Sequence, residues 1–387
     1  MNLVYSLPHH GFDTELQSAS REHFADAGHT ADAFVEKSAE TVGVSKTTVH
    51  RALSNSGRIS EDTRQKILKA ARDLDYRPNN LARGLRSRKS ATVGFIVTGL
   101  NTFYSSILEG AEELAVESGY SILLARSGGD PEREMMNLDI LREKRVDGIL
   151  VAPSHSRAGA DYYRKLLDTG PPFVFFDRDL PGTEADCVMT DNFTGGLMAG
   201  RHLVSVGRTN IAFGCVSDIE MQSTSVKERL RGFRTALAEA GLSVGAMVGE
   251  SRQGGGSHAL FAAGAMVDYV QGGGKLDAVF AANDAAAVGI MTGLRRVGLV
   301  VPDDVAVVGF DGLGIASYLR PSLTTVRQPT KQMGMEAMRL LQESMTESNG
   351  ARHRKRILLA PQLVVRESCG TRSFGDWDLT LEDDLPV

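Results

Sequence analysis

The chain has 387 residues, 42% hydrophobic and 24% charged, an ordinary balance for a globular protein but too long for a single hydrophobic core, so two or three domains are expected. No apolar stretch reaches membrane-spanning length, and MNLVYSLPHHGF at the start lacks the basic n-region of a secretory signal, which points to a cytoplasmic protein with no membrane partner. Cys187, Cys215 and Cys369 are too few and too scattered for a disulfide framework or a metal site; Cys187 and Cys215 lie in apolar runs and read as buried free thiols.

Residues 1–34 hold five acidic side chains against Arg21 alone and fit no fold pattern. Open readings are a disordered extension, a regulatory arm or a start codon assigned too early. FVEKSAETVGVS then predicts a first helix. The next run, GVSKTTVHRALSN from Gly43 to Asn55, reads as the turn and second helix of a helix-turn-helix. Gly43 suits the left-handed backbone of a tight turn, and Ser45 is a good N-cap. Helical spacing puts Val49, Ala52 and Leu53 on one face, with Lys46, Thr47, His50 and Arg51 on the other, a short polar set fit to enter a major groove. A plain amphipathic helix with a solvated face is the alternative.

Charge separates the two. Residues 37–90 carry thirteen Lys and Arg against five Asp and Glu, a module of +8 in a chain of −5. A basic module on an acidic body is the electrostatic footprint of a nucleic-acid binder. SEDTRQKILKAARDLDY predicts a helix capped by Ser60, with Ile67, Leu68, Ala71 and Leu74 inward. RPNNLARGLRSRKS follows as a basic linker.

Beyond residue 90 the apolar runs ATVGFIV, SILLA, GILVA, PFVFF, NIAFGC, AVFAA and VAVVGF are continuous, as in parallel strands buried on both faces. Amphipathic helical segments separate them, which predicts a doubly wound α/β architecture. Ligands of such folds sit beyond the carboxyl ends of the strands. Here those ends carry Asp177, Asp191, Asn283, Asp284 and Asp311, groups suited to several hydroxyls at once. Arg229 offers a fork of donors, and Phe103 and Tyr104 after the first strand offer aromatic faces. The ordinary alternatives are that Asp284 is a helix N-cap and that Asp177 pairs with Arg178. QGGGSHALF and QGGGKLD match neither the P-loop nor G-x-G-x-x-G and read as surface loops. No nucleophile–base set or metal-ligand spacing stands out, so an enzyme is not expected, and neither a cofactor nor a metal.

GVSKTTVHRALSNSGRISEDTR with YRPNNLARGLRSRKSATVGFIV closely resembles the head and hinge of the lac repressor/galactose repressor family of bacterial transcription regulators. GAEELAVESGY, KRVDGILVAPS, VFAANDAAAVGI, VPDDVAVVGFD, PSLTTVRQP and LVVRES extend the resemblance over residues 35–368. It implies a helix-turn-helix head over 35–78, reading DNA through Ser45, Lys46, Thr47, Thr48, His50 and Arg51. A hinge helix and linker over 79–90 would join it to the core, with Asn79, Ala82, Arg83 and Leu85 at the minor groove. The core, 91–368, would hold two doubly wound subdomains joined by three crossovers, like a type I periplasmic sugar-binding protein. Asn101, Phe103, Tyr104, Asp177, Asp191, Arg229, Asn283 and Asp311 are its implied effector residues. The implied partners are a pseudo-palindromic operator, a second copy of the chain and a small sugar-like effector.

The chain departs from that pattern in four places. The first loop reads NTFY where relatives read NPFF, and is one residue short. Ser38 stands at a normally apolar position of the first helix. The extension 1–34 is additional, and the acidic tail 369–387, with Trp377, lacks a leucine heptad for tetramerisation. A solute-binding protein of transport or chemosensing is the rival function; the basic head and hinge favour the regulator.

Overall fold

The computed structural model describes residues 35–53, 57–73, 89–154, 157–217, 220–250, 258–346 and 354–370. The expectations for 1–34, for Asn79, Ala82, Arg83 and Leu85, for the QGGGS string and for Trp377 lie outside these residues. The chain divides into two compact units, 1–90 and 91–387.

The first unit is helical. Residues 35–42 (α1), Lys46–Leu53 (α2) and Glu61–Asp73 (α3) enclose a small core of Val35, Ala39, Val49, Ala52, Ile67 and Ala71. Gly43, at φ +70°, makes the turn into α2. Ser45 caps α2 by accepting from the Thr48 amide at 3.1 Å, and Ser60 caps α3 by accepting from the Thr63 amide at 3.3 Å. Ser38 is fully buried in α1, and its hydroxyl has no hydrogen-bond partner.

The second unit holds two six-stranded sheets. The first has the order β11-β5-β4-β3-β1-β2, all parallel, from β1 (Thr92–Val97), β2 (Ser121–Arg126), β3 (Gly148–Val151), β4 (Phe173–Phe176), β5 (Asp186–Thr190) and β11 (Arg356–Leu359). The second has the order β12-β10-β9-β8-β6-β7, from β6 (Ile211–Ser217), β7 (Ala246–Glu250), β8 (Ala278–Ala281), β9 (Ala306–Asp311), β10 (Thr324–Arg327) and β12 (Gln362–Val364); only β12 runs antiparallel. Helices cover both faces of each. Around the first lie α4 (Thr102–Glu117), α5 (Pro131–Glu143), α6 (Arg157–Thr169) and α12 (Thr330–Thr346). Around the second lie α7 (Asn192–Ser205), α8 (Thr224–Glu239), α9 (His258–Gln271), α10 (Asp284–Arg296) and the short α11 (Ile315–Tyr318).

Continuous apolar runs fill both faces of the central strands. Phe95 and Phe176 stack at 4.8 Å beneath α4 and α12, while Phe173 and Phe175 face Tyr163 of α6 on the other side. The run SILLA departs from the expectation. It forms the edge strand β2, where one neighbour is missing, and Leu123 and Leu124 are exposed.

Three crossovers join the halves, at 190–192, 327–330 and 359–362. The helices that leave the first two of these are bolted down by glycines. A Cβ on Gly196 of α7 would lie 2.0 Å from the Arg229 carbonyl oxygen, and one on Gly232 of α8 would lie 1.9 Å from that of Phe193. Gly110 of α4 and Gly334 of α12 repeat the reciprocal contact in the first half, against the carbonyls of Lys331 and Ile107. Only a residue without a side chain permits such close helix approach.

Candidate functional site

In the head, Lys46, Thr47 and Arg51 are exposed on α2, where residues at the start of a recognition helix reach base edges. Thr48 is turned back to Ser45, their hydroxyls 2.8 Å apart, so this pair serves the cap. His50 lies within α2. Lys46 Nζ is 2.5 Å from Glu36 of α1, and that hydrogen bond holds the Glu36 carboxyl below the usual carboxylate range. The pair is exposed and contributes little to stability. Its effect is local: one of the three ammonium donors of Lys46 is held on Glu36.

In the core, the predicted effector residues gather at the carboxyl ends of the strands of both sheets. Asn101 accepts from the Tyr104 amide at 3.1 Å and so caps α4. Phe103 and Tyr104 are 7% and 5% exposed and pack edge to face, so little of either aromatic face is open to a ring, contrary to the expectation for them. The Tyr104 hydroxyl is buried within a hydrogen-bonded cluster. It accepts from Thr98 and from Arg178, and donates to Asp177 at 3.2 Å. Burial raises its pKa, which keeps it a donor. Asp177 also receives Arg178 Nε at 2.9 Å, as in its alternative reading.

On the other side, Arg229 reaches in from α8, 5% exposed. Its Nε donates to Asn192 Oδ1 at 2.8 Å and its Nη1 to the Ala282 carbonyl at 2.6 Å, with the guanidinium carbon 3.7 Å above the Phe310 ring. Asp311 Oδ1 lies 3.7 Å from Nη1, an ion pair without a direct hydrogen bond. Asp191 caps α7 by accepting from the Thr194 amide and hydroxyl, and Asn283 caps α10 by accepting from the Ala286 amide.

Asp284, expected as that cap, is instead the first residue of α10. Its carboxylate is fully buried and takes Thr325 Oγ1 at 2.6 Å and the Leu313 amide at 2.8 Å. Asn283 won the cap because its extended backbone, φ −154°, aims its side chain at the first turn.

Electrostatics set Asp311 apart. Burial pushes its pKa up to about 8, partly opposed by Arg229 and reinforced by Asp284 and by Asp177 from the other half. Asp177 and Asp311 also share a backbone trait: φ is +67° and +116°, regions that side-chain-bearing residues seldom adopt. Strained backbone of this kind clusters where ligands are held.

Gln328 was missed from the sequence. It is buried at the crossover after β10, accepts from Thr190 Oγ1 at 2.6 Å and donates to Asp311 Oδ1 at 2.8 Å. One side chain therefore ties the strand ends of both halves. Its place after TTVR, where the chain leaves a strand, was the available signal. Asn192, the partner of Arg229, follows Asp191 and was likewise overlooked.

A helix-turn-helix head on a core of two parallel sheets, with a polar cleft at their strand ends, defines a class: DNA-binding regulators built on a periplasmic-binding-protein-like domain. Comparisons agree. Residues 38–79 match the family model described as bacterial regulatory proteins, lacI family, and residues 201–369 match the periplasmic binding protein-like domain. The chain is 33% identical over 340 residues to the HTH-type transcriptional repressor PurR of Vibrio campbellii (strain ATCC BAA-1116), an alignment covering 87% of this chain and 98% of that protein. It is similar in structure to a transcriptional regulator CelR–cellobiose complex, at TM-score 0.62 and 31% identity, over 86% of this chain and 99% of that one. It is also similar to the lac repressor dimer bound to operator and the anti-inducer ONPF, at TM-score 0.73 and 25% identity, over 86% and 97%. The chain belongs to the lacI family of bacterial regulatory proteins, and is a ligand-responsive DNA-binding transcription regulator rather than an enzyme. Among the described residues no helix is long and apolar enough to cross a membrane.

Proposed function

We propose that this regulator acts in the cytoplasm as a repressor, binding a pseudo-palindromic operator as a homodimer, and that a small sugar-like effector between the two halves of its core sets operator affinity. The observation that carries the effector reading is the Gln328 bridge from Thr190 to Asp311. A hydroxylated ligand that exchanges hydrogen bonds with Asp311, Arg229 or Asp177 competes directly with a contact spanning both halves. It therefore has a differential interaction with their open and closed arrangements, the requirement for shifting such an equilibrium. Cellobiose in the similar CelR structure supports the sugar class.

Transmission to DNA rests on residues 79–85. A segment this short is not stable as an isolated helix, and Gly84 weakens it further, so it folds when two copies pair over the operator. Leu85 then wedges a minor-groove step, with Ala82 allowing close approach and Asn79 and Arg83 contacting the duplex. In the major groove Lys46, Thr47, His50 and Arg51 read base edges.

Calorimetry of the full chain against a panel of sugars and nucleobases, followed by gel shifts with the ligand found, tests this. The expected result is a sugar that binds wild type, fails to bind Asp311→Ala, and changes operator affinity. Binding of nucleobases alone, or unchanged sugar affinity in Asp311→Ala, overturns the effector reading while leaving DNA binding untouched.

A further inference from the structure

The outward face of α8 is not used by the effector site. Lys227, Arg231 and Arg234 recur there at helical spacing, all exposed, along a shallow open groove of roughly 590 Å3 that Met221, Leu230 and Ala238 also line. Arg231 is engaged, bonded to Glu228 and lying 4.0 Å over the Phe193 ring. The side chains of Lys227 and Arg234 have no ion-pair or hydrogen-bond partner among the described residues. A solvated helix face explains cations, but it does not require an apolar floor between them, which here is a half-buried Met221 and an exposed Ala238 over the buried Leu230.

The complementary sequence is in the same chain. TRSFGDWDLTLEDDLPV, residues 371–387, carries five acidic side chains against Arg372 and interleaves them with Phe374, Trp377, Leu379 and Leu381. Its point of departure is fixed. Cys369 is buried in the cluster that holds Leu230, Phe233 and Leu237 of α8, and Gly370 lies against Arg208 and Pro302. Arg208 precedes β6 and Pro302 precedes β9, so the tail starts at the amino-terminal edge of the second sheet. α8 ends at that edge too, since the chain turns there into β7. Fully extended, the segment reaches about 55 Å. The stripe from Ala238 back to Lys227 is only about 17 Å of helix.

We propose that the acidic tail of this chain docks along the outer groove of α8, its carboxylates on Lys227 and Arg234 and its aromatic and leucine side chains on the apolar floor. The tail then lies across the back of the helix whose inner face presents Arg229 to the effector site, placing a self-contact on an element that the ligand also touches.

Trp377 is the only tryptophan, so its fluorescence reports the tail alone. In the full chain we expect emission shifted to the blue, and acrylamide quenching several-fold weaker, relative to a synthetic 371–387 peptide. The double variant Lys227→Glu/Arg234→Glu should move both readings to the peptide values with the far-UV circular dichroism unchanged. Truncation after Gly370 should speed hydrogen exchange over 224–239. Peptide-like emission in the wild type overturns the proposal, as does shielding that ignores the double variant. Shielding that vanishes on dilution assigns the groove to a second copy's tail and overturns the docking within one chain.

Discussion

The helix contact at Gly196 allows a matched test of packing. In Gly196→Ala the new Cβ meets the Arg229 carbonyl at 2.0 Å, where ordinary contact begins near 3.4 Å, so α8 must retreat by more than an ångström at that residue. Arg229 holds the Ala282 carbonyl at 2.6 Å and Asn192 at 2.8 Å. A retreat of that size carries both contacts towards the limit of hydrogen bonding and strands a buried guanidinium. Overpacking alone costs about 1–3 kcal/mol, and loss of the guanidinium's partners adds to it. The expected total is about 3 kcal/mol, which lowers the Tm of a unit this size by roughly 6 °C. Gly264→Ala is the control. Gly264 also lies within a helix, α9, but a Cβ there meets nothing within 4 Å. That substitution should stabilise by about 0.5–1 kcal/mol, the ordinary helix preference of Ala over Gly. Differential scanning calorimetry of the full chain reads both, with operator gel shifts confirming an intact head. If Gly196→Ala melts with wild type, or moves in the same direction as Gly264→Ala, the close approach of α7 and α8 is refuted.

Three further outcomes follow from other sites. Ser38→Ala should stabilise the head by about 1 kcal/mol, because it removes a buried hydroxyl with no partner; slower hydrogen exchange over α1–α3 is the readout, and faster exchange would show that the hydroxyl is bonded. Asp311 has its folded pKa raised to about 8, far above the unfolded value near 4, so its contribution to stability is complete at acid pH and is lost as pH rises towards 8. The melting temperature of the ligand-free core should therefore fall between about pH 5 and 8, and Asp311→Asn should flatten that slope, leaving a part from Asp284, whose pKa burial raises to about 6; an unchanged slope argues against the buried acid. Arg51→Ala should cost about 1–3 kcal/mol on the operator and much less on random DNA in gel shifts, whereas equal losses would make Arg51 a phosphate contact.

What was legible in the sequence was local. Ser45 and Ser60 announce their helices because an N-cap is decided within three residues, and VAVVGF announces a buried strand because both its faces are apolar. The strand-end acids were visible as a set for the same reason. The errors arise where long-range packing decides. Asp284 looks like a cap until Thr325 and Leu313, distant in sequence, claim its carboxylate. Phe103 and Tyr104 look like an open platform until the core under α4 takes their rings. Gln328 gains meaning only when Thr190 and Asp311 are brought to either side of it, which no periodicity encodes. Gly196 and Gly232, in turn, read as helix weaknesses until their partners are seen.

The left-handed backbones of Asp177 and Asp311 limit how this cleft can diversify. Asn and Gly tolerate such conformations, while most other residues add about 1–2 kcal/mol of steric cost at each. Substitution there is thus funnelled towards exchanging the carboxyl for an amide in place, by Asp→Asn, rather than towards lengthening the side chain, by Asp→Glu. A panel of variants seeking new ligands is expected to succeed by swapping acceptors for amides at these two positions and drawing its changes of shape from neighbours on relaxed backbone, such as Asn192 and Gln328. Chemical retuning and steric retuning are assigned to different residues by the chain's own torsion angles.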